Sequence, residues 1–547
     1  MKDVVQNVAT YLSSTAEQRP DQPALVSGAG RPKFSPLSFS QLDHAVDGAV
    51  SELVNSGISA GDKTLLFVNP GPGLIIWAFA LFRLGAIPVV IDPGMGIGSF
   101  LSCIQRTKPN AMVGISRAFW LSRLLPRSFR TIRRRYLVRP GLYTFNKKEE
   151  QSFIPKRTLP DELAAIVFTS GSTGNPKGVR YLHRTFDAQI CALQNVFGME
   201  AGEVDLTTLP IFGLFNPALG ITSVLPDIDP RRPAQADPAK LVRSLLDHNV
   251  TTAFASPVIG RKVANECQKL GTSLNKINRF FLAGAPVPPS LAEQLGQCLT
   301  HGRVIVPYGA TEALPVSSTD GSQISDCKSS TLKGKGSLVG TPIPGAKVRI
   351  LDITQAPLPD YPEGFDGLKK GVVGEICVSG KMVTAGYDRM PGATCDARFK
   401  IGKTEYHRMG DLGYIDEHKR LRFLGRKAEC VHTANGLIET ERCEPAIFQL
   451  SFVQRCALIG LGKSPKQEPC LVVEPVRSQV RQHGEIVLRR KILEACQDSF
   501  PEFQIQRVFF EKKIPVDARH NAKVHRLALS RKWSRWVARK PKLGKLT

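Results

Sequence analysis

Apolar and polar positions along this chain change period repeatedly. Apolar residues recur at helical spacing over 4–20 and again over 39–56, where Gly57 supplies a stop. Between them, residues 24–27 form a short run of strand type, and 63–68 read as a second strand. Gly71-Pro72-Gly73 turns the chain into an apolar helix over 74–84, closed by Gly85, and 88–91 returns to a strand. Further on come a strand at 163–168, a helix at 184–196 and a strand at 206–210. Strand-to-loop transitions follow at 251–257 and 280–286, and another strand runs from 304 to Tyr308. Such alternation predicts βαβ units, a largely parallel sheet and an α/β fold. Residues 352–371, rich in Pro, Gly and Asp, predict a surface loop, and 374–378 a strand. The last part carries strands over 457–460, 470–474 and 508–510 and a helix over 486–496. No internal repeat or low-complexity tract is present.

At 547 residues the chain is too long for one hydrophobic core, so at least two domains are expected. Apolar content of 42% with 22% charged residues is that of a soluble globular protein. The first twenty residues lack the apolar centre of a signal peptide. The longest apolar run, 74–82, stops at Arg83 and is too short to span a bilayer. Twelve scattered cysteines, with no CxxC pair and no His/Cys cluster, predict reduced thiols in a cytoplasmic protein rather than a disulfide framework or zinc site.

Charge changes this picture in two places. The formal net charge is +25. Residues 111–148 hold eight Arg and two Lys without an acid, and 518–547 hold ten more basic residues, again without an acid. The rest of the chain is nearly balanced, which is not how a general polyanion binder distributes charge. The first stretch interleaves Arg with Phe119, Trp120, Leu121, Leu124, Leu125, Phe129 and Tyr136. That mixture suits peripheral contact with an anionic membrane surface at the inner face. A solvated basic face over ordinary core residues reads the same pattern more simply. Nucleic acid is the least favoured of the three, since a basic patch alone does not distinguish it.

The strongest chemical signal is FTSGSTGNPKGV over 168–179. Gly171, Gly174 and Gly178 remove side chains where a backbone must approach a ligand closely. Thr169, Ser170, Ser172 and Thr173 add hydroxyls, and Lys177 adds a mobile positive charge. Successive backbone N–H groups in such a loop form an anion-holding concavity, so the natural ligand is a polyphosphate. The spacing is neither the GxxxxGK[ST] of a P-loop nor GxGxxG.

This loop resembles the phosphate-binding signature of the adenylate-forming enzymes: acyl-CoA synthetases, luciferases and the adenylation domains of peptide synthetases. The resemblance covers nearly the whole chain. It implies a large N-terminal AMP-binding domain over 1–425, with mixed and parallel sheets and flanking helices. It also implies a small mobile α+β C-terminal domain over 426–547. The reaction it implies joins a carboxylate to AMP from ATP with Mg²⁺ and releases pyrophosphate. By the same resemblance, Thr169, Ser170, Gly171, Ser172, Thr173, Gly174 and Lys177 hold phosphates, and Gly284, Ala285 and Pro286 form an adenine-side loop. VIVPYGATE resembles the family's YGxTE motif. It assigns Tyr308 to stack on adenine, with Gly309 after it, Thr311 to the α-phosphate and Glu312 to Mg²⁺. Asp411 in HRMGDLGYID and Arg426 in RLRFLGRKAEC match the pair that holds the ribose. Asp411 alone, in Gly-Asp-Leu-Gly, equally suits a turn.

IFGLFNPALG over 211–220 stands where the family lines its carboxylate pocket, with Phe212, Gly213 and Phe215. Many members carry a His where this chain has Gly213; simple packing is the other reading. The family's catalytic lysine, which binds the reacting carboxylate and α-phosphate, matches Lys523. Asn521-Ala522-Lys523 replaces the usual Gly-Lys, and Ala428 stands at the hinge position where Asp or Lys is common. Together with IDPGMG over 91–96 and GRKAECVHTANG over 425–436, these departures resemble the β-lactone synthetases of bacterial long-chain olefin biosynthesis. That resemblance implies a 2-alkyl-3-hydroxy fatty acid as substrate and partner enzymes of the same lipid pathway. After adenylation, the acid's own 3-hydroxyl closes a β-lactone, proximity supplying the effective concentration. The alternatives are a long-chain fatty acid–CoA ligase using CoA on the same acyl-adenylate, and a non-catalytic nucleotide- or acyl-binding relative.

Overall fold

The computed structural model describes residues 7–30, 33–139, 152–169, 176–209, 212–230, 232–517 and 523–539. Among these, a six-stranded sheet runs in the order Arg134–Leu137, Ala111–Gly114, Lys63–Phe67, Ile87–Val90, Leu163–Thr169, Lys177–Leu182. Its pairs are parallel except the last. The glycine-rich loop is therefore the connection of an antiparallel pair, with Thr169 opposite Lys177. Helices Phe39–Asn55 and Pro72–Leu84 bury their apolar residues in one core. Ser38 and Gln41 form a capping box at the start of the first, and Gly85 ends the second at φ +76°, a conformation that favours glycine. Arg83 does not reach solvent. Its side chain is 1% exposed and pairs with Asp43 and Asp47 while donating to Ser13 Oγ at 2.9 Å.

The largest sheet among the described residues has fourteen strands. One half is parallel: Arg303–Ala310, Arg279–Leu282, Thr252–Ala255, Val204–Thr207, Thr222–Leu225 and Pro23–Ser27 lie side by side. The other half is antiparallel: Ala313–Asp320, Ser337–Pro342, Leu421–Arg426, Thr404–Ile415, Gly374–Ser379 and Lys347–Leu351. The halves meet at the hairpin of Arg303–Ala310 with Ala313–Asp320. The alternation of strands and helices predicts the parallel half. The antiparallel half comes from long-range pairing of segments between loops, which no local period reveals.

Beyond residue 430, buried clusters form from local material alone. Strands Val453–Leu461, Glu468–Pro475 and Arg507–Phe510 make a three-stranded sheet, antiparallel and then parallel. Helix Glu485–Ser499 contributes Leu488, Ile492 and Cys496 to one of these cores. The acid-free stretch at the end of the chain is less of a tail than its charge implies. Helix Arg526–Arg539 stacks Trp533 on Phe509, ring centroids 4.2 Å apart, and partly buried Arg526 pairs with both Glu429 and Glu444. All twelve cysteines are free thiols, ten of them buried. Among the described residues no helix is long and apolar enough to cross a membrane.

Candidate active site

Asp411 does not sit in a turn. Gly-Asp-Leu-Gly runs through the long strand Thr404–Ile415, where Gly410 takes φ +67° and Asp411 lies opposite Arg426. Arg426 Nε comes within 3.1 Å of Asp411 Oδ1, and its Nη1 donates to the Met409 carbonyl at 3.0 Å. Tyr308, on the neighbouring hairpin, donates its hydroxyl to Asp411 Oδ2 at 2.7 Å. Burial raises the Asp411 pKa, while Arg426, the Tyr308 hydroxyl and the charge of Lys523 pull it down. Oδ1 accepts no hydrogen bond among the described residues, although it is sealed from solvent.

The same hairpin turns at Thr311 and Glu312. It is tight because Gly309 has no side chain: a β-carbon there would stand 2.5 Å from the Ala313 carbonyl oxygen. Tyr181 fastens the turn by donating to the Thr311 carbonyl at 2.7 Å. Thr384 donates to the Glu312 carbonyl from its backbone at 2.9 Å and from its hydroxyl at 3.1 Å. The Glu312 carboxylate accepts the Tyr387 hydroxyl at 3.0 Å. Lys177 is the first residue of a strand rather than a mobile loop side chain, and its ammonium lies 4.5 Å from the centre of the Tyr387 ring. Buried His407 is pushed down to about 4 by desolvation, against the pull of Glu312 and helped by Arg398, Lys177 and Arg426. It is a neutral imidazole at pH 7.

Lys523 is exposed and is held by its backbone, whose N–H donates to Asp517 Oδ1 at 2.9 Å, beside a bridge between Val516 and Val524. Its charge acts on Asp411. The structure thus gathers Lys177, Tyr308, Thr311, Glu312, Asp411, Arg426 and Lys523 around one region. Thr169 ends its strand, and Ser170, Gly171, Ser172, Thr173 and Gly174 lie outside the described residues. Gly284, at φ +97°, Ala285 and Pro286 follow the parallel strand Arg279–Leu282 as a partly exposed loop.

The apolar turn begins with Phe212–Leu214 and passes into the short helix Asn216–Leu219. Gly213 is buried, and a β-carbon there would come within 3.1 Å of Thr207 Cγ2. A side chain there would be tight, and Thr207 would have to yield by a few tenths of an ångström to admit it. Phe215 packs half-buried beside Phe186, centroids 6.2 Å apart. Under this turn lies a polar network invisible to sequence reading. Asn216 donates to Asp205 Oδ2 at 2.9 Å and to Ser223 Oγ at 2.9 Å, and Thr207 donates to the same Asp205 oxygen at 2.6 Å. Burial pushes the Asp205 carboxyl up to about 6 against these donors. The sequence reading also missed Tyr181, Thr384, Tyr387 and His407. The only available signal was their nearness to motif residues in space, which one sequence does not encode locally.

Fold and comparison place this chain among AMP-forming, acid-activating enzymes. It belongs to the AMP-binding enzyme family, which matches residues 12–388. It is 39% identical to the olefin beta-lactone synthetase of Stenotrophomonas maltophilia, an alignment covering 96% of this chain and 97% of that protein. To the olefin beta-lactone synthetase of Xanthomonas campestris it is 38% identical, covering 96% and 97%. Among solved structures, ATP-bound MatB of Rhodopseudomonas palustris shares the fold with a TM-score of 0.78 at 20% identity, covering 96% of this chain and 99% of that one.

Asp205 gives the apolar turn a pH signature. Its pKa is about 6 in the folded chain against 3.8 for the ordinary group, so the folded state binds the extra proton between those values. Stability from this group is greatest below the lower value and falls as pH rises through the upper one. Asp205→Asn removes that dependence. Relative to wild type, the variant should gain roughly 2 kcal/mol between pH 4 and pH 6, since at pH 6 the folded group is still half protonated and a pKa difference of one is worth about 1.36 kcal/mol. Urea denaturation of both proteins across that range measures it, and a constant difference between them would place the titration elsewhere.

Proposed function

We propose that this enzyme adenylates a long-chain 2-alkyl-3-hydroxy acid with ATP and then closes the acyl-adenylate to a β-lactone. The reading rests on whole-chain similarity to olefin beta-lactone synthetases. It is supported by the convergence of Lys177, Glu312, Asp411, Arg426 and Lys523. In the first step a carboxylate oxygen attacks the α-phosphorus of ATP and pyrophosphate leaves. In the second the 3-hydroxyl oxygen attacks the acyl carbon, AMP leaves, and the hydroxyl proton passes to solvent. Strain opposes a four-membered ring; the mixed anhydride supplies the driving force, and proximity the rate.

The residues fit a nucleotide. Asp411 Oδ1 is ion-paired with Arg426 Nε at 3.1 Å but accepts no hydrogen bond among the described residues, which leaves it open to a ribose hydroxyl. The Tyr308 ring is the proposed adenine platform, and the Gly284–Pro286 loop its neighbour. Lys177 and the loop before it would hold the outgoing phosphates. Lys523 would neutralise charge on the reacting carboxylate and α-phosphate. Glu312 would hold Mg²⁺, which screens the phosphates when bound; nucleotide-borne Mg²⁺ usually takes one or two protein carboxylates. Phe212, Gly213 and Phe215 would line the acyl pocket. We place the domain boundary at Gly425–Arg426, with residues 1–425 and 426–547 moving as units between steps. Gly425 takes φ +124°, and a β-carbon there would stand 2.3 Å from Thr440 Oγ1, so this junction needs glycine.

The membrane surface is a second part of this reading, favoured by where the basic stretch is exposed. Phe129 is in the core, and Phe119, Leu121 and Tyr136 are half-buried. Trp120 is 65% exposed and Leu124 72%, among exposed Arg117, Arg123, Arg127 and Arg130. An amphipathic face of this kind suits an anionic bilayer, from which a water-insoluble acid would be drawn.

Product identity tests the chemistry. With ATP, Mg²⁺ and a 2-alkyl-3-hydroxy acid, mass spectrometry should find AMP, pyrophosphate and a β-lactone without CoA. A 3-deoxy analogue should stop at the adenylate. Ready CoA thioester formation, with no lactone from any 3-hydroxy diastereomer, would make the enzyme a fatty acid–CoA ligase instead. Lys523→Ala should slow carboxylate-dependent ATP–pyrophosphate exchange by roughly 10²–10³, as for loss of one preorganised charge at a developing oxyanion.

Replacing Arg117, Arg123, Arg127 and Arg130 with Gln should release the protein from anionic vesicles but leave turnover of a soluble short-chain acid intact. Each charge near such a surface contributes about 1 kcal/mol, and salt screens it. Cosedimentation that responds to neither the substitutions nor salt would leave a solvated basic face.

A further inference from the structure

Tyr387 lies in none of the motifs that mark the nucleotide site, yet it touches two of its charged residues. Its hydroxyl donates to Glu312 Oε1 at 3.0 Å, and its ring lies 4.5 Å from the Lys177 ammonium. The residue is 7% exposed. Burial, and after it the charge and hydrogen bond of Glu312, raise its pKa far above the ordinary phenol value, so it stays a neutral donor.

The backbone around Tyr387 is equally committed. Residues 384–388 run alongside the segment that follows the glycine-rich loop, with an isolated antiparallel bridge between Val179 and Tyr387. Arg180 N–H donates to the Gly386 carbonyl at 2.9 Å, Ala385 N–H to the Arg180 carbonyl at 2.9 Å, and Asp388 N–H to the Gly178 carbonyl at 2.7 Å. Thr384, at the other end, holds the Glu312 carbonyl. Asp388 is anchored by Lys63 at 2.7 Å. One short segment thus ties the arm of the phosphate loop to the turn that presents Glu312.

We propose that Tyr387 is a positioning residue that keeps Lys177 and Glu312 apart and aimed, one for the nucleotide phosphates and the other for their Mg²⁺. The inference rests on the reading of Glu312 and Lys177 given above. Lys177 opens a strand of one sheet and Glu312 sits in a turn of another. Opposite charges brought to one side chain in a partly buried site attract strongly and would close into an ion pair. Such a pair would spend both charges on each other. The aromatic ring holds the ammonium by its π-face without neutralising it, and the hydroxyl fixes one carboxylate oxygen while leaving the other to a metal.

Tyr387→Phe keeps the ring and removes the hydroxyl; Tyr387→Leu removes both. The measurement is ATP binding by titration calorimetry, with and without Mg²⁺, beside thermal unfolding of each variant. For Tyr387→Phe the enhancement of ATP binding by Mg²⁺ should fall roughly tenfold, as for one lost hydrogen bond to a charged group, with metal-free binding unchanged. Tyr387→Leu should weaken metal-free binding as well, because Lys177 is then free to collapse onto Glu312. Glu312→Gln is the control. If it abolishes the Mg²⁺ enhancement while Tyr387→Phe matches wild type, Tyr387 is only a packing residue and the inference fails, with the reading of Glu312 intact. If Mg²⁺ does not enhance ATP binding to wild type, that reading fails and this inference with it. Should Tyr387→Leu not fold, Tyr387→Phe decides alone.

Discussion

A carboxylate taken out of water must find charge and donors nearby, or its pKa climbs until it is neutral. Asp411 meets this demand incompletely. Arg426 faces it across a strand pair, Tyr308 holds one of its oxygens, and the charge of Lys523 reaches it from the far end of the chain. The other oxygen is ion-paired with Arg426 but accepts no hydrogen bond among the described residues. The large sheet supplies this arrangement. Its antiparallel half aligns Asp411 with Arg426, and the hairpin joining the two halves delivers Tyr308. The proposed nucleotide site depends on that one under-satisfied acid, because a ligand hydroxyl is what completes it.

The opposite problem arises at Glu312 and Lys177. There the hazard is too good a pairing, and Tyr387 stands between the two groups. His407, buried in the same field, is held neutral by burial and by three nearby cations. It adds no positive charge where Lys177, Arg426 and Lys523 already supply it. In the proposed site these are separated charges on a partly buried framework, where preorganised electrostatics would act on a developing phosphate charge.

The basic stretches show how composition and structure part company. Both carry about the same charge in sequence, but they are used differently. In the C-terminal stretch, partly buried Arg526 pairs with two glutamates and Lys532 pairs with Glu511. In the earlier stretch Arg134 pairs with Asp62, whereas Arg117, Arg123, Arg127 and Arg130 remain exposed beside Trp120 and Leu124. Among the described residues, this second group sets exposed charge beside largely exposed Trp120 and Leu124.

The sequence by itself determined the class of protein. A phosphate loop between apolar runs, a Tyr-Gly-Ala-Thr-Glu strand end and an Asp and Arg downstream are local patterns, because each must present backbone or side chains to one ligand over a few residues. Hydrophobic period likewise gave the parallel half of the large sheet. What the tertiary structure decided was every contact between distant segments. It moved Asp411 from a turn into a strand and fixed Lys177 at the start of one. It built the Asp205–Asn216 network under the apolar turn and brought Tyr387 to Glu312. The physical reason is one of range. Propensity, period and turn chemistry act within a few residues. Antiparallel register, burial and the pairing of charges are settled only when separate segments are laid against one another, as Asp411 is with Arg426 and as Tyr387 is with Glu312 across 75 residues.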